Sequence, residues 1–133
     1  AAGADAVVLD AAEGAEPGLA EIAAAAASGL VSDDRFEALV GHLARVHPSR
    51  YIRLIEGLSL VGVKDVVPFT DQSAALRFVA FVDRVYDAEV PIRATGDALD
   101  RVFPEEMLAG GYRKKYLRAV SRLIASTAAS IPE

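Results

Sequence analysis

Hydrophobic side chains in the centre of the chain recur every three or four positions, which is the spacing of an amphipathic α-helix. The clearest case runs from about Gln72 to Asp87, with Asp71 placed to cap its first turn. At about 100° per residue its polar positions fall within one arc of about 120°, and the remaining circumference is apolar. A helix with so wide an apolar surface packs on two sides, so we predict that it lies at the centre of the core. The polar positions are Ser73, Arg77, Asp83, Arg84 and Asp87.

Helical and extended patterns alternate along the rest of the chain from residue 32. Further helices are predicted over 32–43, 51–55, 99–103 and about 112–127, the first capped by Ser32 or Asp33. Strands are predicted over 58–63, with Gly62 as an interruption, and over 90–95. This alternation predicts an α/β domain with a short sheet covered by helices in two or three layers.

The amino-terminal part differs in composition. Residues 1–34 contain 13 alanines and seven acidic residues, and the first cation of the chain is Arg35. So little large apolar surface predicts a segment that is ordered only in parts. We therefore divide the chain into a partly ordered, Ala-rich acidic segment over 1–31 and an α/β domain over 32–133. Within the segment, residues 6–9 have a strand pattern and residues 17–29 a helix pattern.

Several classes of function are disfavoured by what the sequence lacks. The absence of cysteine removes disulfides, thiol catalysis and cysteine-ligated metal sites. No apolar run reaches the roughly 18 residues of a bilayer span, and the net charge of −5 argues against general affinity for nucleic acid. His42 and His47, five residues apart, would diverge by about 140° on a helix and cannot share a metal from one face, so no metal site is predicted. No G-x-x-x-x-G-K-[ST] phosphate-binding loop occurs in the sequence.

The predicted last helix concentrates positive charge. Five cations and no acids lie between Arg113 and Arg122, whereas the remainder has nine cations and 19 acids. One interpretation is a solvated surface on a helix whose carboxyl-terminal half favours positive charge. The other is a contact with phosphate or an acidic partner, for which Arg118 and Arg122 lie four residues apart on one side. Asp83 and Asp87, beside Arg84, are predicted to form a solvated ion-pair patch.

Four short motifs occur in a fixed order between residues 46 and 123. They are V-H-P-S-R-Y at 46–51, A-L-R-F-V at 75–79 followed by V-D-R-V-Y-D at 82–87, G-G-Y-R-K-K-Y at 110–116 and S-R-L at 121–123. Together they resemble the C-terminal part of ZapE-like AAA+ ATPases, the bacterial cell-division ATPase and its mitochondrial, lactation-elevated relatives. The resemblance covers about residues 36–126, and the Ala-, Val- and Arg-rich composition is similar to that of actinobacterial members.

The resemblance implies a cytoplasmic protein with a P-loop NTPase core that binds ATP and Mg²⁺. It also implies a role in protein remodelling at the division ring or in quality control, with client proteins and possible homo-oligomers as partners. The family's phosphate-binding loop and Asp-Glu motif belong to a preceding N-terminal core. We therefore expect no cofactor in this chain alone and no ATP hydrolysis by it.

The resemblance also indicates candidate site residues. They are Arg77, Asp83, Tyr86 and Asp87 of the central helix and Arg118, Ser121 and Arg122 of the last helix. In AAA+ proteins, arginines outside the phosphate-binding loop contact the γ-phosphate, so Arg122 is the first candidate for this role and Arg118 the second, in cis or in trans. This interpretation requires guanidinium groups that face outward instead of forming internal ion pairs.

Two other functions stay open at this point. The first is a stand-alone protein-interaction module whose basic last helix docks an acidic partner. The second is nucleic-acid binding through residues 113–122, which the net charge disfavours.

Overall fold

Three strands and five α-helices alternate along residues 31–129, the part of the chain that a computed structural model describes. The elements are β1 (Val31–Arg35), α1 (Phe36–Leu43), α2 (Tyr51–Ile55), β2 (Leu60–Val66), α3 (Gln72–Asp87), β3 (Ile92–Gly96), α4 (Glu105–Leu108) and α5 (Arg113–Ala128). Two 3-10 turns, Pro48–Arg50 and Leu99–Arg101, complete the described part. The predicted α/β class is confirmed, while the strand over 6–9 and the helix over 17–29 lie outside the described residues.

The three strands form one parallel sheet in the order β1-β2-β3. Both crossovers step in the same direction across the sheet, so right-handed connections place their helices on the same face. Val61, Val63 and Ile92 join the helices in one buried core, which confirms a sheet covered by helices. On the central strand the alternate residue Leu60 is also fully buried, so β2 is enclosed on both faces.

The helix α3 occupies the centre of this core, as its pattern predicts. Its bounds are those expected, and the Asp71 side chain accepts a hydrogen bond of 2.9 Å from the Ala74 amide. Aromatic rings surround its first half. Phe78 lies 5.6 Å from Phe36 and 5.3 Å from Phe69, measured between ring centroids. The rings therefore join α1, the loop after β2 and α3 in one contact, and each such pair adds about 0.5–1.5 kcal/mol beyond the area buried.

The predictions at Ser32, Asp33 and Gly62 are wrong. Neither Ser32 nor Asp33 caps a helix, because residues 31–35 form β1 and α1 begins at Phe36 without a side-chain cap. Pairing with β2 decides this conformation, and pairing is not visible in a short polar segment. Nor does Gly62 interrupt β2, since it pairs with Asp33 on one side and Arg93 on the other.

Two buried tyrosines differ in how their hydroxyl groups are satisfied. The Tyr51 hydroxyl donates a hydrogen bond of 2.8 Å to the Leu43 carbonyl, which joins α2 to the end of α1. The Tyr116 hydroxyl is buried without a hydrogen-bond partner, although its ring stacks on Phe103 at 4.7 Å. Burial raises the pKa of both phenols above 10.0, and the nearby Arg77 guanidinium opposes this increase at Tyr51.

Replacing Asp71 tests the cap of α3. Asp71→Ala removes the acceptor for the Ala74 amide, so we expect the free energy of unfolding to fall by about 1 kcal/mol. Gln72→Ala, one residue later and also exposed, is the matched control and should change it by less than about 0.5 kcal/mol. Urea unfolding followed by circular dichroism measures both, and equal effects would contradict the capping role.

The tyrosine pair gives a second test of the core. Tyr51→Phe leaves the Leu43 carbonyl without its donor and should cost about 1–2 kcal/mol of unfolding free energy. Tyr116→Phe removes only an unsatisfied hydroxyl and should be neutral or stabilising. Thermal unfolding of the two variants separates these outcomes, and a larger loss for Tyr116→Phe would show that its hydroxyl has a partner after all.

Candidate functional site

One side of the helix α5 packs against α3 and against the 3-10 turn Leu99–Arg101. Tyr116, Ala119 and Leu123 have no exposed surface, and Ser126 is also buried. Ile124, the next residue along the helix from Leu123, is 52% exposed. The position of this buried side around the helix determines where the arginines of α5 point.

Arg122 forms an internal ion pair at the contact between the two helices. Its Nη1 donates a hydrogen bond of 2.5 Å to Oδ1 of Asp83, and its guanidinium lies 4.8 Å from the centre of the Tyr86 ring. The side chains of Arg122 and Asp83 are only 27% and 19% exposed. A carboxylate and an aromatic face thus hold this guanidinium on α3, contrary to the outward orientation expected from the sequence.

Arg118 lies one turn earlier and is less constrained. Its Nη2 is 3.9 Å from Oδ2 of Asp83, which is too long for a hydrogen bond, and its side chain is 52% exposed. The structure therefore brings Arg118, Arg122, Asp83 and Tyr86 together. We name these four residues the α3–α5 cluster.

The prediction of a solvated patch holds for one of the two aspartates. Asp87 pairs with Arg84 at 2.9 Å on the exposed surface of α3. Asp83 does not belong to that patch, because it faces α5. A single sequence shows that two carboxylates share a helix side but not which neighbouring helix covers one of them.

The remaining sequence-predicted residues lie away from the cluster. Arg77 lies about 120° around α3 from Asp83, and its Nε is buried without a hydrogen-bond partner. Ser121 is exposed on α5. Neither contributes to the α3–α5 cluster.

The cluster lies toward the amino ends of the strands. The helix α3 leads from the end of β2 back to the start of β3, and Asp83 is in its last two turns. The helix α5 ends at the same side, because Arg93 near the start of β3 donates hydrogen bonds of 2.9 Å and 2.7 Å to the Thr127 and Ala129 carbonyls. Open α/β sheets bind ligands at the carboxyl ends of their strands, so the cluster lies away from that edge.

The sequence gives no sign of a groove that lies between β3, the loop after it and the second half of α5. Its volume is about 420 Å³, and its walls include Ile92, Ala94, Leu99, Leu123 and Ile124. Asp97 and Asp100 also line it, whereas Arg118 and Arg122 do not. No sequence motif marks this groove because its residues come from two separate stretches of the chain, 92–100 and 123–127.

The position of the basic residues also corrects one interpretation. Arg113, Lys114 and Lys115 occupy the first turn of α5, and no cation lies in its last turn. The amino end of a helix is the positive end of its dipole, so these three cations are unfavourably placed with respect to their own helix. Dipole compensation therefore does not explain them.

A family model for AFG1-like ATPases matches residues 15–132. The match shows that the class of protein is a family of ATPases. It begins upstream of the four motifs at 46–123. Because it covers most of the chain, the chain belongs to the AFG1-like ATPase family. No curated protein and no solved structure matches the chain. In the described part, no helix has the length and apolar character needed to cross a membrane.

The two aspartates of α3 provide a matched test of the cluster. Asp83→Ala leaves a partly buried guanidinium without its acceptor, so we expect the free energy of unfolding to fall by about 1.5–2 kcal/mol. Asp87→Ala breaks an exposed pair on the same helix and should cost less than about 0.5 kcal/mol. Chemical unfolding measures both, and equal losses would show that the bond between Asp83 and Arg122 contributes little.

Proposed function

We propose that this chain is the C-terminal portion of a ZapE-like AAA+ ATPase that couples ATP hydrolysis to protein remodelling in cell division or quality control. The family match over residues 15–132 is the observation that supports this proposal most directly. The phosphate-binding loop, which the sequence lacks, belongs in this proposal to a preceding core of the same protein.

The described residues fit a contact with phosphate better than a complete nucleotide site. Residues 31–129 contain no group of three His, Asp or Glu side chains placed to hold a metal ion. In this proposal the preceding core holds Mg²⁺, where ATP would supply the phosphoryl group and the metal would neutralise part of its charge. What the α3–α5 cluster offers is guanidinium N–H donors.

Within the cluster, Arg118 is better suited to a phosphate than Arg122. Its side chain is half exposed, and its distance to Asp83 leaves its N–H donors available for another acceptor. Arg122 is the first choice on sequence resemblance alone, but it already donates to Asp83 and lies on Tyr86. We therefore assign the phosphate contact to Arg118 and a positioning role to Arg122, which holds α5 on α3 next to it.

The location of the cluster supports action in trans. A nucleotide at the carboxyl edge of a chain's own sheet would be far from an arginine near the amino ends of its strands. A neighbouring subunit does not have this restriction, and an arginine supplied by a neighbour stabilises the charge that develops during phosphoryl transfer.

Arg118→Ala in the intact ATPase tests the proposal. Removing the guanidinium should lower kcat for ATP hydrolysis by about 100-fold or more, without lowering the unfolding temperature, since the side chain is half exposed. Lys114→Ala, which removes an exposed cation from the same helix, is the control and should leave kcat within about twofold. Unchanged turnover in Arg118→Ala would reject the assignment.

A mixing experiment separates cis from trans. Arg118→Ala subunits are combined with subunits that carry a defective phosphate-binding loop. If Arg118 acts on a neighbour's nucleotide, mixed oligomers contain some sites with both parts intact and regain activity. If it acts in cis, the mixture stays inactive at every ratio.

A further inference from the structure

The solvent-facing side of α5 has an apolar centre of its own. Opposite the buried side, Leu117, Ser121, Ile124 and Ala128 follow one another at spacings of four, three and four residues. On a helical wheel they fall within an arc of about 60°, roughly 150° from the middle of the buried side. We call these four residues the outer stripe. Such spacing is the pattern by which one helix packs on another.

Two large side chains of the outer stripe are unusually exposed. Leu117 is 42% exposed and Ile124 is 52% exposed, and they lie two turns apart on the same side. The small side chain of Ser121 lies between them. A large residue on each side of a small one leaves a recess, and a side chain of a second helix can enter such a recess as a knob enters a hole.

Positive charge borders the outer stripe at its first turn. Arg113 and Lys114 are about 100° apart around the helix, one on each side of Leu117. Both are exposed, and α5 contains no acidic residue. Arg113 Nη1 lies 3.5 Å from the Leu108 carbonyl. No acidic residue of α5 compensates the charge of either cation, and both lie at the positive end of the helix dipole.

We propose that the outer stripe and its bordering cations form a docking surface for an amphipathic helix of a partner protein. The helix that fits has apolar side chains every three or four residues with Asp or Glu on both flanks. Its apolar side would cover Leu117 and Ile124, and its acids would neutralise Arg113 and Lys114. The proposal goes beyond the ATPase assignment, since it uses neither Arg118 nor Arg122.

The same features disfavour two other anionic partners. An anionic membrane takes up the apolar side of a helix lying in its surface, but the larger apolar side of α5 is already buried in the core. A nucleic acid favours a continuous basic surface with aromatic side chains, whereas the centre of this surface is aliphatic.

Binding of a designed peptide to the 133-residue chain tests the proposal. The probe is a labelled 21-residue helix with leucines every three or four residues and glutamate flanks, and a second probe has lysine flanks. Fluorescence anisotropy should show saturable binding of the glutamate probe and at least tenfold weaker binding of the lysine probe. No binding of the glutamate probe, or equal binding of both, would overturn the proposal.

Substitutions locate the binding surface. Leu117→Ser combined with Ile124→Ser should weaken binding of the glutamate probe at least tenfold while the chain stays folded. The matched control combines Ile52→Ser with Val67→Ser, which removes two large side chains that are 40% and 53% exposed elsewhere on the surface. This control should not change the affinity, and equal weakening in both pairs would overturn the assignment to α5.

The charged border has a test that does not depend on folding. Arg113→Gln combined with Lys114→Gln should weaken binding at least fivefold and flatten its salt dependence, while the unfolding temperature stays the same or rises. Weaker binding together with a lower unfolding temperature would contradict the explanation that these two charges act on binding and not on folding. Stronger binding of the chain to phosphatidylserine vesicles or to single-stranded DNA than to the glutamate probe would also overturn the proposal.

Discussion

The contact between α3 and α5 determines where Arg118, Arg122 and the outer stripe of α5 lie. Tyr116, Ala119 and Leu123 bury one side of α5 completely, and the bond between Asp83 and Arg122 fixes its rotation at the edge of that side. Since a helix presents a new direction every 100°, fixing one side fixes the rest. The exposure of Arg118 and the direction of Leu117 and Ile124 both follow from it.

The sequence predicts this fold best for elements whose conformation depends on their own residues alone. The bounds of α3 follow from its apolar pattern and from Asp71, which are properties of that segment alone. The sequence does not predict β1, because its conformation depends on pairing with β2, some thirty residues away. The interruption predicted at Gly62 is absent for the same reason, since strands on both sides hold this residue in the sheet.

In the candidate site, too, the sequence indicates which residues matter, but the packing of the two helices decides what they contact. Sequence resemblance singles out Arg118, Arg122 and Asp83, and the structure places all three together. It could not show that Arg122 donates to Asp83, because such a bond joins two helices whose relative rotation only the packed core decides. Nor could it separate Asp83 from Asp87, which differ only in whether α5 covers them.

The cations of α5 form two groups with different surroundings. Those on the side of Arg118 and Arg122 meet Asp83, so their charge is already compensated in part within the domain. Those at Arg113 and Lys114 are exposed and face the positive end of their own helix dipole, an arrangement that costs stability and gains no partner within α5. Around the helix, Arg118 lies about 40° from Lys114 and about 90° from the middle of the outer stripe, so a nucleotide and a docked helix would occupy adjoining sides of α5. A domain held together by one side of α5 thus leaves its other sides available for separate partners.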